Sequence, residues 1–275
     1  MLVIHWYGQI GYNGKNYSQN DVKRNFAIKK ALGMGMTKST LAISREFSRF
    51  AKQYSRYNIV QTKLASLLAQ RLPQKKYHKI ADIGCGSGAI YEALKNDNIV
   101  FDSFYALDIS PEMLKLHPDS TTVHKGIFDF NDMSCFLDPV LKDCDIILSS
   151  SSLQWCEDLD STLRAIANLH KSFYATLFTS GTFRSLHAIA QIQSPIYSQQ
   201  EVIEQFRNYF EITFEVLEHK LYFENNEDLF RYIKRSGVSG GQNLLSVTQM
   251  RQLLREYRLD YLEFEAVVIV ANPLV

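Results

Sequence analysis

Lys79-Ile-Ala-Asp-Ile-Gly-Cys-Gly-Ser-Gly88 reads as a buried strand that runs into a glycine turn and, from Ala89 to Leu94, into a helix. Ile80, Ala81 and Ile83 supply the strand, and Gly84, Gly86 and Gly88 follow at every second position. In an α/β sheet this order brings backbone and a helix N-terminus against a nucleotide-like ligand, because glycine removes the Cβ that would stand in the way. Glycine-rich turns also serve simple packing, so the run alone leaves both readings open.

Downstream the chain alternates. Phe101–Ile109 reads as a second strand that brings Asp108 to its end, and Ser110-Pro-Glu112 opens a helix with an N-cap, a first-position proline and a first-turn acid. Thr121–Lys125, Asp145–Ser150 and Phe173–Thr179 are the third to fifth strands, with a helix at Ser161–His170. This alternation predicts an α/β fold with a doubly wound, mostly parallel sheet. Later, helices at Gln199–Tyr209, Glu227–Ser236 and Thr248–Arg258 accompany strands at Ile212–Phe223 and Leu262–Ala271. Those two strands are expected to pair antiparallel at the sheet edge, and the helices to form a lid within 181–261. Upstream, Thr37–Asn58 is a helix with an apolar stripe and a basic one (Arg45, Arg49, Lys52, Arg56), and Val60–Leu72 is a second. Residues 1–36 show no sustained period and stay unassigned; Met36 is an alternative start for the domain, which is taken as 37–275, with 37–72 its N-terminal helices.

The 275 residues are 46% apolar and 21% charged, an ordinary globular balance. No window approaches the ~20 apolar residues of a membrane span, and the N-terminus lacks a secretory pattern. Four cysteines form no CxxC pair, and no metal-ligand spacing appears. A cytoplasmic protein with reduced thiols, no metal and no membrane partner is expected. The formal charge of +1 hides an asymmetry: residues 1–78 carry 14 Lys/Arg against 2 Asp/Glu, while residues 79–180 carry 7 against 15. A basic front on an acidic body suggests an acidic partner, or a solvated face. Nucleic acid is disfavoured, because no binding motif interleaves the basic residues.

Asp108 stands where such folds hold a ribose, which suits several nucleotides. The glycine spacing is G-x-G-x-G rather than the G-x-G-x-x-G of a pyrophosphate cradle, and Asp82 precedes it. An acid there repels a pyrophosphate and attracts a cationic amino-acid-bearing ligand. That favours S-adenosyl-L-methionine over a dinucleotide.

With Asp82–Gly88, Ala106–Leu114, Phe47–Tyr54 with Gln61, and Ser152-Leu-Gln-Trp-Cys156 in view, the sequence resembles class I S-adenosylmethionine-dependent methyltransferases. More narrowly, it resembles the BioC-type malonyl-[acyl carrier protein] O-methyltransferases of biotin synthesis, from about Glu46 onward. The resemblance implies a seven-stranded Rossmann-like sheet with an antiparallel edge strand. It implies that Gly84, Cys85, Gly86 and Gly88 line the methionine end of the cofactor, with Asp82 near its amino group. Asp108, followed by Ile109 and Met113, would hold the ribose side. Asp129 with Phe128 or Phe130 would frame the adenine, Ser149 and Ser150 would face the methionine, and Tyr54 would close the site. The chemistry implied is esterification of a malonyl thioester on an acidic acyl carrier protein. A carboxylate is already ionised near neutral pH and needs no general base. A buried cation is wanted for the anion, and Arg184 is the candidate. The pattern departs from the family before strand five, where His170-Lys-Ser-Phe173 replaces a Pro/Gly turn. Gly237-Val-Ser-Gly-Gly241 matches a hydrolase elbow but follows a helix, so it is set aside. Two alternatives remain: a methyltransferase for another small carboxylic acid or a quinone precursor, and a non-catalytic binding protein on the same fold.

Overall fold

The computed structural model describes residues 57–235 and 247–274. Tyr54, the basic helix, the extension 1–36 and Gly237–Gly241 lie outside the described residues. In chain order the elements are α1 (Ile59–Gln70), β1 (Lys76–Ile83), α2 (Ala89–Asn96), β2 (Val100–Asp108), α3 (Pro111–Leu116) and β3 (Val123–Ile127). Then follow α4 (Pro139–Asp143), β4 (Ile146–Ser150), α5 (Leu159–Ala167), β5 (Ser172–Phe178), α6 (Arg184–Ala190), α7 (Gln199–Arg207) and β6 (Phe210–Tyr222). α8 (Asn226–Arg235), α9 (Val247–Glu256) and β7 (Tyr261–Pro273) complete the order.

Seven strands form one sheet in the order β3-β2-β1-β4-β5-β7-β6. β1 pairs in parallel with β2 and β4, β2 with β3, and β4 with β5. β7 runs antiparallel to both β5 and β6, so the reversed strand is inserted one place in and β6 is the edge. The period of two along β1 sorts its side chains. Ala81 and Ile83 join the core under α5 and α7, whereas Ile80 joins the core under α1 and α2. A third apolar cluster joins α1, α6, α8 and α9 to the β5 and β7 face through Val60, Phe178, Leu186, Leu229, Leu253 and Phe264.

Several boundaries move for identifiable reasons. The third strand starts at Val123, not Thr121, because Ser120 ties Thr121 and Thr122 into a turn: its Oγ accepts from Thr122 N at 3.3 Å and its carbonyl from Val123 N at 3.1 Å. The helix expected from Ser161 begins at Leu159, because Asp158 is its N-cap and accepts from Ser161 N. It ends at Ala167, and His170 then takes φ +54°, the left-handed conformation that a glycine adopts more readily. α6 was not foreseen. It is seven residues long and its N-cap is Phe183 at φ +58°, with no side-chain cap to announce it. Among the described residues no helix is long and apolar enough to cross a membrane.

His117, at the end of α3, is buried, with its ring 5.8 Å from Phe104 and 5.4 Å from Tyr91. Burial holds its pKa down at about 4. In the unfolded chain the ring titrates near 6.5, so the unfolded state takes up the proton first. Stability from the neutral ring is complete above about pH 6.5 and is lost as pH falls towards 4, by about 3 kcal/mol in total. Denaturant titrations at pH 7 and pH 4.5 should show this loss in the parent and a shallower one in His117→Gln.

Candidate active site

The glycine turn sits where β1 ends beside β2. Gly84, Gly86 and Gly88 have φ of +74°, +54° and +97°. Gly84 N and Cys85 N both donate to Leu107 O, at 2.7 and 3.0 Å, which ties the turn to the neighbouring strand. The turn is close-packed on two sides and open on the third. A Cβ on Gly84 would come within 2.5 Å of Ser152 Cβ, and one on Gly88 within 2.7 Å of Pro118 Cδ. Among the described residues, a Cβ on Gly86 would meet only the Met113 methyl, at 3.9 Å. The space in front of Gly86 is therefore kept for something other than this turn.

Asp108 fixes that rim. Its Oδ2 accepts from Gly86 N at 2.8 Å and its Oδ1 from Ser110 N at 2.8 Å. Burial raises its pKa, and the backbone donors Ser110, Gly86 and Ile109 oppose the rise. Each oxygen keeps a lone pair, so the carboxylate can still accept a pair of vicinal hydroxyls. Ile109 is half-buried and Met113 buried beside it. On the other side, the Phe130 ring reaches within 4.0 Å of a Gly84 Cβ position. Phe128, the alternative aromatic, is buried against Phe136 at 5.1 Å and belongs to the core. Asp129 accepts from Asn131 N at 2.9 Å, which shapes the turn that presents Phe130.

Asp82 is the most telling group. It is 1% exposed, and neither carboxylate oxygen has a hydrogen-bond partner among the described residues. Desolvation, reinforced by the Asp108 charge, raises its pKa well above the usual carboxylate value. A buried carboxyl without donors is costly unless a cation completes it. The α-ammonium of S-adenosylmethionine is such a cation, and the turn, Asp108 and Phe130 fit its remaining parts. Cys85 is buried and its thiol is held protonated, chiefly by desolvation, so it serves the turn by size rather than reactivity.

The two serines of β4 have their hydroxyls engaged within the fold. Ser149 Oγ donates to Ile83 O at 2.8 Å and lies 2.7 Å from Ser152 Oγ, while Ser150 Oγ lies 2.8 Å from Thr176 Oγ1. These hydroxyls brace the carboxyl ends of β1, β4 and β5. Arg184, expected buried, is exposed and pairs with Glu218 at 3.1 Å.

Beyond the carboxyl ends of β4 and β5 lies an open cavity of about 750 Å³, walled by Gln154, Cys156, Ser180, Arg184, His187 and Tyr197 among others. Ser151, just after β4, has φ +55°, and the 3₁₀ turn Leu153–Trp155 buries Trp155 while Gln154 reaches the wall. Gln154 Nε2 donates to Ser151 O at 2.8 Å, and its Oε1 has no partner among the described residues. Burial lowers the pKa of His187, with Glu263 opposing, so the ring is biased to neutral. The sequence reading missed the acids behind Arg184, namely Glu218, Glu263 and Glu265. Two acids at alternate positions of the otherwise apolar closing strand, Glu263 and Glu265, were the signal available.

Comparison with known proteins agrees with this arrangement. Residues 81–172 match the family described as "Methyltransferase domain" (Methyltransf_12). The chain is 27% identical over 213 residues to a malonyl-[acyl-carrier protein] O-methyltransferase of Prosthecochloris aestuarii, covering 72% of this chain and 77% of that one. It is 25% identical over 257 residues to the protein of the same name from Chlorobium luteolum, covering 87% and 94%. Among solved structures it is similar to the YcgJ protein of Bacillus subtilis, with a TM-score of 0.54 at 13% identity, covering 78% of this chain and 99% of that one.

Proposed function

From a chain that carries a methyltransferase domain on the class I fold, and so takes S-adenosylmethionine as its cofactor, we propose a carboxyl O-methyltransferase acting on malonyl-acyl carrier protein in biotin synthesis. The observation that carries this reading is the cavity beyond β4 and β5. Among the described residues that wall it, Arg184 is the one with a permanent positive charge, and no nucleophile–base pair accompanies it. Its volume of about 750 Å³ suits an extended thioester arm better than a small free acid. The names of the Prosthecochloris and Chlorobium relatives support the same acceptor.

When bound, S-adenosylmethionine supplies an electrophilic methyl group. The chain's own residues have simpler duties. Asp82 and Asp108 would hold the two polar ends of the cofactor, Phe130 would stand on its aromatic side, and the glycines would admit it closely. Arg184 holds the acceptor anion so that oxygen, methyl and sulfur can align. A carboxylate already carries its charge, so no residue need remove a proton, and the neutral bias of His187 is compatible with that. Helices within 181–261 would supply the substrate lid, Tyr54 would close the site, and the basic stripe at Arg45, Arg49, Lys52 and Arg56 would steer the acidic carrier.

Incubation with labelled S-adenosylmethionine and malonyl-, succinyl- or glutaryl-carrier protein tests this. Label should enter the malonyl carrier first, as a base-labile methyl ester, with rates that fall steeply with salt. Label in none of the three would redirect the reading to a free small acid.

A further inference from the structure

We infer that Glu218 is a positioning residue for the methyl acceptor: it holds the Arg184 guanidinium aside, and an arriving anion takes that guanidinium over. The inference rests on the acceptor cavity assigned above. Arg184 borders two cavities at once. One is the large cavity with Gln154, His187 and Tyr197. The other, about 220 Å³, is walled by Gly181, Glu218, His219, Lys220, Glu263, Phe264 and Glu265. The guanidinium is thus shared between an anion site and an acidic recess.

The contact with Glu218 is built to be given up. It runs from one guanidinium nitrogen, Nη1, to Oε1, and the two side chains are 53% and 64% exposed. An exposed, single-bonded pair contributes little stability, and a carboxylate that engages the planar fork through two bonds outcompetes it. The other two acids of the recess are occupied elsewhere. Glu263 accepts from Ser185 Oγ through Oε1 alone and Glu265 from Thr179 Oγ1, and among the described residues it is Glu218 that pairs with Arg184.

The exchange has a direction set by the reaction. The acceptor enters as an anion and leaves as a neutral ester. An anion displaces Glu218 from Arg184; an ester has no charge with which to keep it displaced. Recapture of Arg184 by Glu218 then accompanies release of the product, and neutral acceptors are discriminated against on entry.

Binding of free malonate and of neutral dimethyl malonate to the protein saturated with S-adenosylhomocysteine tests this without requiring turnover. Glu218→Gln should tighten malonate about three- to fivefold, the range of an exposed ion pair, leave dimethyl malonate unchanged, and lose its effect in an Arg184→Ala background. Glu218→Asp should restore parental affinity. With whichever acceptor is turned over, Glu218→Gln should lower KM and not raise kcat. An unchanged malonate affinity, or equal tightening of both ligands, would overturn the proposal. Failure to methylate the malonyl carrier while the Glu218–Arg184 coupling persists would overturn the carrier assignment alone.

Discussion

Asp82→Asn is expected to make the cofactor-free protein more stable and to remove most of its affinity for S-adenosylmethionine. The two effects share one cause. A carboxyl that is 1% exposed and without donors among the described residues is pushed towards its protonated form by desolvation and by Asp108. Folding therefore requires that this raised pKa be met, at a cost that grows as pH rises above the ordinary carboxylate value, because the unfolded chain ionises Asp82 near that value. Asn abolishes that requirement, and a gain of about 1 kcal/mol corresponds to roughly 2–4 °C in Tm for a chain of this size. The sign sets the pH window. The gain is greatest above the raised pKa of Asp82 and disappears as pH falls towards the unfolded value, where both states are protonated. Cofactor binding runs the other way. An ammonium ion beside Asp82 stabilises the carboxylate, so binding releases a proton and affinity falls as pH is lowered below that raised pKa, by up to tenfold per unit. Removing one partner of a buried charge pair costs about 2–5 kcal/mol, on the order of 10²–10³-fold in affinity. Calorimetry in two buffers of different ionisation enthalpy should detect the proton in the parent and not in Asp82→Asn. A variant that binds as tightly as the parent would end this assignment.

Gly84→Ala is expected to be the most disruptive single-methyl change in the turn. The new Cβ would stand 2.5 Å from Ser152 Cβ and overlap its hydroxyl. Ser152 cannot yield easily, because Oγ lies 2.7 Å from Ser149 Oγ and donates to Ile83 O at 3.2 Å. Overpacking of this kind costs about 1–3 kcal/mol, and an alanine at φ +74° adds about 1–2 kcal/mol. Together they should lower stability by about 2–5 kcal/mol and displace the turn from the cofactor. The double variant Gly84→Ala/Ser152→Gly separates the terms. It should recover the overpacking part and leave the conformational part, whereas full recovery would show that backbone strain is absent. Gly86→Ala is the useful contrast, since among the described residues its Cβ meets only Met113, and it should impair binding more than stability.

Much of this could be read from the chain because the central strands obey local rules. Ile80, Ala81 and Ile83 are buried on both faces of a parallel sheet, and Ser110-Pro111 forms the cap its residue types favour, with Ser110 Oγ accepting from Met113 N. Asp82, Gly86, Asp108 and Phe130 come together because each ends a strand or begins a turn of a regular βα repeat. Where the repeat stops, legibility stops. α6 is capped by Phe183 in a left-handed conformation, a choice imposed by packing that its residue type does not announce. Arg184 looked like a buried cation because the reaction needs one, but exposure and the bond to Glu218 depend on where β6 lies, 34 residues away along the chain. The positions of Ser149 and Ser150 at the end of β4 were legible, but not the bonds their hydroxyls make to neighbouring strands.

The reversed strand β7 also bears on how the protein comes to be made. It lies between β5 and β6 although the ribosome produces it after both. Until Tyr261–Pro273 emerges, β5 and the thirteen-residue β6 each present an unpaired edge, and β6 has no place in the sheet at all. Open edges of that length invite pairing with other chains. The nascent chain is therefore most exposed to aggregation in the interval between β6 and β7, and a nonsense change shortly before Tyr261 should give insoluble protein rather than a smaller working enzyme.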